Sequence, residues 1–101
     1  MPPVWTDLAT AAALIKDGDL VAVGGHTRAA PMALIRELIR QGRRRLGLIT
    51  VPTGGLNVDL AVGAGVADRL HFAQVGLEEY GMAPLFRAAV QAGRLHCLEY
   101  P

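Results

Sequence analysis

Short apolar runs alternate along the chain with segments of helical periodicity, and nearly every segment ends at a glycine. Leu20-Val21-Ala22-Val23 closes on Gly24-Gly25, and Leu46 to Val51 is cut off by Pro52-Thr53-Gly54-Gly55. Unbroken apolar runs of this length suit strands buried on both faces of a parallel sheet. Leu70, Phe72 and Val75 mark a third strand, and Leu95 to Tyr100 a fourth.

Between the strands lie helices. Thr6-Asp7 supplies an N-cap for a first helix of about ten residues, with Leu8, Ala11, Ala12 and Ile15 at helical spacing and Gly18 beyond it. Pro31 fits the first position of a second helix, where its fixed φ is favourable and its missing N–H costs nothing. Leu34, Ile35, Leu38 and Ile39 are its inner stripe, with Arg36, Glu37, Arg40 and Gln41 outside. Asn57 is placed to cap a short third helix through Val58, Leu60, Ala61 and Val62, and Pro84 to start a fourth carrying Leu85, Phe86, Ala89 and Val90. The order α-β-α-β-α-β-α-β predicts an α/β fold, an open parallel sheet with right-handed βα crossovers.

The sheet topology brings the loops after the first three strands to one edge, where ligands of such folds bind. Those loops hold Gly24-Gly25-His26-Thr27-Arg28, then Pro52 to Gly55, then Gly76 to Gly81. Glycine admits close backbone approach, and helix N-termini favour anions, so this edge is expected to bind an anion or a carbonyl. His26 is the histidine on that edge. His71 and His96 fall in strands, and the three show no metal-ligand spacing. Gly63-Ala64-Gly65 imitates a dinucleotide fingerprint but follows a helix rather than a strand, and no Gly-Lys-Ser/Thr exists, so NAD and ATP sites are unsupported. Cys97 has no basic neighbour to activate it and reads as an inert thiol. Glu78 and Glu79, adjacent in a loop, read as solvated or structural, and the cluster Arg43-Arg44-Arg45 with Arg40, after a helix C-terminus that favours cations, as a solvated face.

Ten basic against nine acidic residues, a net charge of +1, argues against an electrostatic nucleic-acid binder. No apolar stretch reaches the roughly 20 residues of a membrane span, and no basic region precedes Leu8 to Ile15, so neither a membrane segment nor a secretory signal is expected. A single cysteine agrees with the cytoplasm. Charged residues make up 19%, below the about 25% of soluble domains, which predicts apolar faces packed against further chain or a partner.

Several segments together resemble the α-subunit of class I CoA-transferases, in the glutaconate CoA-transferase A-like branch. They are Asp17 to Gly25, Pro31 to Leu38, Gly55 to Gly65 (Gly-Leu-Asn-Val-Asp-Leu-Ala-Val-Gly-Ala-Gly), Val75 to Gly81, Phe86 to Gly93 and Glu99-Tyr100. The resemblance covers nearly the whole chain. It implies a fold of the CoA-transferase and ribose-5-phosphate-isomerase-like kind, with residues 1–101 as the N-terminal portion of an α-subunit-like domain, ending where a covering helix is expected next.

It also implies a function. CoA would pass from an acyl-CoA to a carboxylic acid through a glutamyl thioester on a companion β-subunit, with coenzyme A as substrate and no permanently bound cofactor or metal. This chain has no residue matching that nucleophile's motif, so it is expected to be inactive alone and to work in a hetero-oligomer. Its share would be substrate-binding loops at the interface, with Gly24, Gly25, His26, Gly54, Gly55 and Glu78 as the candidate residues. His26 stands where the family commonly has an aromatic residue, which leaves the acyl group open. Two alternatives remain: a hydrolase or lyase of the same fold acting on a cyclic acyl-CoA, for which Glu99 is the candidate carboxylate, and a non-catalytic effector-binding module.

Overall fold

The structure, a computed structural model, describes residues 2–25, 30–50 and 53–100, and of Glu79 the backbone alone. It opens with helix α1 (Leu8–Ala13), capped by Asp7, whose Oδ1 accepts from the Thr10 N–H at 2.7 Å. The helix is shorter than its apolar spacing predicts. Asp19 diverts the chain, its carboxylate accepting from the Lys16 N–H at 2.8 Å and its own N–H donating to the Lys16 carbonyl.

Strands β1 (Leu20–Val23), β2 (Leu46–Thr50), β4 (Ala67–Phe72) and β6 (His96–Glu99) form one sheet in the order β1-β2-β4-β6, every pair parallel. Between them come α2 (Met32–Arg40), α3 (Leu56–Gly63) and α4 (Pro84–Gln91). Right-handed crossovers between neighbouring parallel strands put successive helices on the same face. Accordingly α1 packs on α2, α2 on α3, and α3 on α4.

The ladder registers give each face its own row of side chains. Val21, Leu48, Leu70 and Cys97 lie in register on the helix side and join Ile35, Leu38, Val58, Ala61 and Ala89 in the core. Ala22, Ile49, His71 and Leu98 lie in register on the other side, outside that core. There His71 stacks on Tyr100, ring centroids 5.8 Å apart. Arg69 crosses the same face and donates to the carbonyls of Gly18 and Arg45, both at 2.9 Å.

This one-sided core corrects the expectation that β1 is buried on both faces. β1 is an edge strand with one neighbour, and its Leu20 is 53% exposed. Four further corrections have equally local causes. Pro31 caps α2 from outside instead of opening its first turn. Glu37, expected on the outer face of α2, is buried because Arg40 and Gln41 fold over it. Asn57 does not cap α3, since Gly55 takes that position and Asn57 enters the first turn as a buried residue. The arginine cluster is not simply solvated: Arg43 donates to the Ile15 carbonyl at 2.6 Å and Arg44 to the Ala64 carbonyl at 3.1 Å, fastening α1 and α3 to the loop after α2.

Val75 does not continue the third strand. The chain breaks at Ala73, and β5 (Gln74–Val75) pairs in parallel with β3 (Thr53–Gly54) in a separate two-stranded sheet. Pro84 does open α4, as the sequence predicts.

Candidate functional site

The small β3–β5 sheet sits beyond the carboxyl edge of the main sheet and ties two glycine-rich connections together. Thr53 is in register with Gln74 and Gly54 with Val75, and the Gly76 N–H donates to the Gly54 carbonyl at 3.0 Å. The loop that follows is closed on itself. Leu77 N–H donates to the Gly81 carbonyl at 2.8 Å, a 3-10 turn runs over Glu78–Tyr80, and Gly81 holds φ +93°, a value that favours glycine.

Between these connections and the start of α2 lies a cavity of about 380 Å³. Ala30 and Met32 wall it on the α2 side, Gly55 and Leu56 at the start of α3, and Gly76, Leu77 and Tyr80 from the closed loop. Leu56 and Tyr80 are exposed, so one rim is open and apolar. A volume above about 300 Å³ is enough for a small-molecule site. Among the described residues no side chain caps the N-terminus of α3 at this wall, and the positive end of a helix dipole favours an anionic or carbonyl oxygen.

Each residue singled out from the sequence can now be located. Gly55 lines the cavity. Gly54 lies behind it, where a Cβ would meet methyl carbons of Thr50, Val58 and Val75 at 3.0, 3.1 and 3.2 Å, so its missing side chain is used for close packing. Glu78 sits between the wall residues Leu77 and Tyr80 at φ +55°, a conformation uncommon outside glycine. Gly24 and Gly25 follow β1 on the same edge without lining the cavity, Gly25 with φ +81°. Glu99 ends β6, in register with Phe72, and does not line the cavity either. His26 lies outside the described residues.

Sequence reasoning placed Leu77 and Tyr80 in the edge loop Gly76 to Gly81 without singling them out, and it did not mark Met32 or Leu56 for the site. A signal was present nonetheless: Gly55-Leu56 and Gly76-Leu77 each place a leucine directly after a wall glycine.

Electrostatic perturbation falls elsewhere. Hydrogen bonds from Arg40 and then Gln41 bring the Glu37 carboxyl down to about 2. Burial, with Glu99 nearby, pushes the Cys97 thiol up and away from thiolate chemistry. Among the described residues no group of three or more His, Cys, Asp or Glu could hold a metal ion. Among them, too, no helix is long and apolar enough to cross a membrane.

Comparison with known proteins gives this geometry a family. The chain is 40% identical over 85 residues to a 3-oxoadipate CoA-transferase subunit of Pseudomonas knackmussii, an alignment covering 84% of this chain and 30% of that protein. It superposes on a crystal structure of a variant of the decarboxylase AibA/AibB with a TM-score of 0.87 at 36% identity, covering 97% of this chain and 38% of that one. The chain thus spans about a third of the length of the proteins it matches. The family profile described as coenzyme A transferase matches residues 5–101, and the chain belongs to that family.

Proposed function

We propose that the chain forms part of a CoA-transferase α-subunit that works in the cytoplasm within a hetero-oligomer and holds the acyl group in the cavity at its sheet edge. The net reaction passes CoA between carboxylates. RCO–S–CoA and R′COO⁻ become RCOO⁻ and R′CO–S–CoA, one thioester breaking as another forms, with no net proton or electron transferred. A companion β-subunit supplies the carboxylate nucleophile that carries CoA between the two acids. This chain supplies Gly55, at the uncapped start of α3, to receive the reacting carbonyl oxygen, and Leu56, Leu77 and Tyr80 against the rest of the acyl group. Gly24, Gly25, Gly54 and Glu78 belong to the same edge, shaping the connections around the bound substrate, with His26 kept as a substrate-binding candidate.

The observation that carries this reading is the pairing of β3 with β5, which brings two Gly-Leu turns of a coenzyme A transferase family chain around one cavity. The open rim at Leu56 and Tyr80 supports a site completed by a second protomer. Transfer is favoured over a hydrolysis that uses Glu99, since that residue is not among those that line the cavity.

Co-expression with a β-type companion and incubation with acyl-CoA, followed by borohydride or hydroxylamine trapping, tests the proposal. A trapped thioester on the companion and CoA exchange into an added acid are the expected results. Release of free CoA without an acceptor acid would indicate a hydrolase, and no turnover in any pairing would leave an effector-binding module.

A further inference from the structure

We infer that Asp59 is a positioning residue: from inside α3 it holds the loop that walls the far side of the cavity in place against the start of that helix, and so governs the affinity for longer acyl groups. The inference rests on the transferase reading above and adds to it a residue that does not line the cavity.

The start of α4 takes its cap from another helix. Pro84 has no N–H, and Ala83, at the capping position, has no side-chain acceptor. The Phe86 N–H in the first turn donates instead to Asp59 Oδ1 of α3, at 2.7 Å. A serine at position 83 could supply a cap locally, whereas a cap drawn from α3 also ties the two helices together. The tie reaches the cavity, since the Asp59 N–H donates at 3.0 Å to the carbonyl of the wall residue Gly55. Asp59 is buried, where a hydrogen bond is stronger than in water.

The opposite wall is held at two points. At its head the Gly76 N–H donates to the Gly54 carbonyl at 3.0 Å, and at its tail the chain runs into α4 and the Asp59–Phe86 bond. Leu77 and Tyr80 lie between these points, and the bond from the Leu77 N–H to the Gly81 carbonyl makes the loop one piece. The head is anchored next to Gly55, while the tail follows α4. Releasing Asp59 therefore moves Leu77 and Tyr80 relative to Leu56 and leaves the turn at Gly55 in place. A short acyl group held at Gly55 does not sense that movement, and one long enough to reach Leu77 and Tyr80 does.

The test uses the assembled enzyme, this chain with its companion, and compares acetyl-CoA with hexanoyl-CoA as donors. Asp59→Ala is expected to raise KM for hexanoyl-CoA by about tenfold, within the cost of a misplacement near 1 Å, with KM for acetyl-CoA and both kcat values unchanged. Adding Ala83→Ser gives α4 a local cap, so the double variant should regain thermal midpoint and keep the raised hexanoyl-CoA KM. A KM that returns with the midpoint, or one that rises equally for both donors, shows a structural role alone and overturns the inference. If Asp59→Ala does not fold, the double variant is compared with Ala83→Ser in the same way. Amide hydrogen exchange at Leu77 needs no turnover: faster exchange in the Asp59 variants is expected, and unchanged exchange refutes the tie. If the unaltered assembly transfers CoA from neither donor, the transferase reading fails, and the exchange result still decides whether Asp59 holds the loop.

Discussion

A Cβ on Gly63 would stand 2.3 Å from Cδ1 and 2.8 Å from Cβ of Leu85, so α3 and α4 approach each other through the missing side chain. The same two helices are joined by Asp59, buried in α3, whose Oδ1 accepts from the Phe86 N–H at 2.7 Å in the first turn of α4. The contact is both steric and polar, and it fixes where the loop that walls the cavity must end.

Gly63→Ala is therefore expected to destabilise the protein by about 1–3 kcal/mol, the range for overpacking a close contact, although alanine's better helix propensity offsets part of it. Leu85→Ala in the same chain removes the obstructing Cδ1 but keeps the Cβ at 2.8 Å, so it should recover part of the loss. Urea denaturation of the two single variants and the double variant measures the coupling, and additive effects would refute the contact.

Asn57 is completely buried, and neither polar atom of its amide has a hydrogen-bond partner among the described residues. A buried polar group left unpaired costs about 1–3 kcal/mol, so Asn57→Leu, of similar size, is expected to raise stability by about 1 kcal/mol or more. Asn57→Asp places a charge in the same surroundings and should lower it. Denaturant midpoints for the two variants shifting in the same direction would contradict this account.

The long elements were legible because each carries its own signal: the stripe of α2, Pro84 at the start of α4, the apolar run of β2. What escaped has its cause elsewhere in the chain. Gln74-Val75 is too short to show a period, and it becomes a strand only because Thr53-Gly54 lies beside it. Glu37 has a polar sequence neighbourhood, yet Gln41, which covers it, is itself held by the Ala9 carbonyl of α1 at 3.0 Å. Arg44 reads as a surface cation until the end of α3 arrives at its guanidinium. The cavity edge could be located from topology and glycine content, whereas its apolar walls could not, since nothing local distinguishes Leu56 from a core leucine.

The Glu37 cluster predicts an acid-sensitive helix pair. Its carboxyl is drawn from 4.5 to about 2 by the Arg40 and Gln41 hydrogen bonds. A depressed carboxylate contributes stability that is fully present above its unfolded value and is lost as pH falls through the folded one. The thermal midpoint should therefore fall between about pH 4.5 and pH 2, and Glu37→Gln should flatten that segment of the profile while leaving the slope above it unchanged. An unaltered acid limb in the variant would remove Glu37 as its cause.

Gly54→Ala tests whether the packing behind the cavity controls what happens inside it. The three methyl carbons that a Cβ would meet, from Thr50, Val58 and Val75, all belong to β-branched side chains with little rotamer freedom, so the backbone has to yield. The part that yields is the β3–β5 pairing, which positions Gly55 through the turn and Gly76 through its hydrogen bond to the Gly54 carbonyl. A shift of about 1 Å between a positioning group and its substrate costs up to roughly 100-fold in rate. The assembled enzyme carrying Gly54→Ala is thus expected to lose at least about tenfold in kcat/KM for CoA transfer, beyond what its fall in thermal midpoint accounts for. Val75→Ala, which removes one obstructing methyl, should restore part of that activity, and a Gly54→Ala enzyme with unchanged kinetics would show that the turn's position does not govern the site.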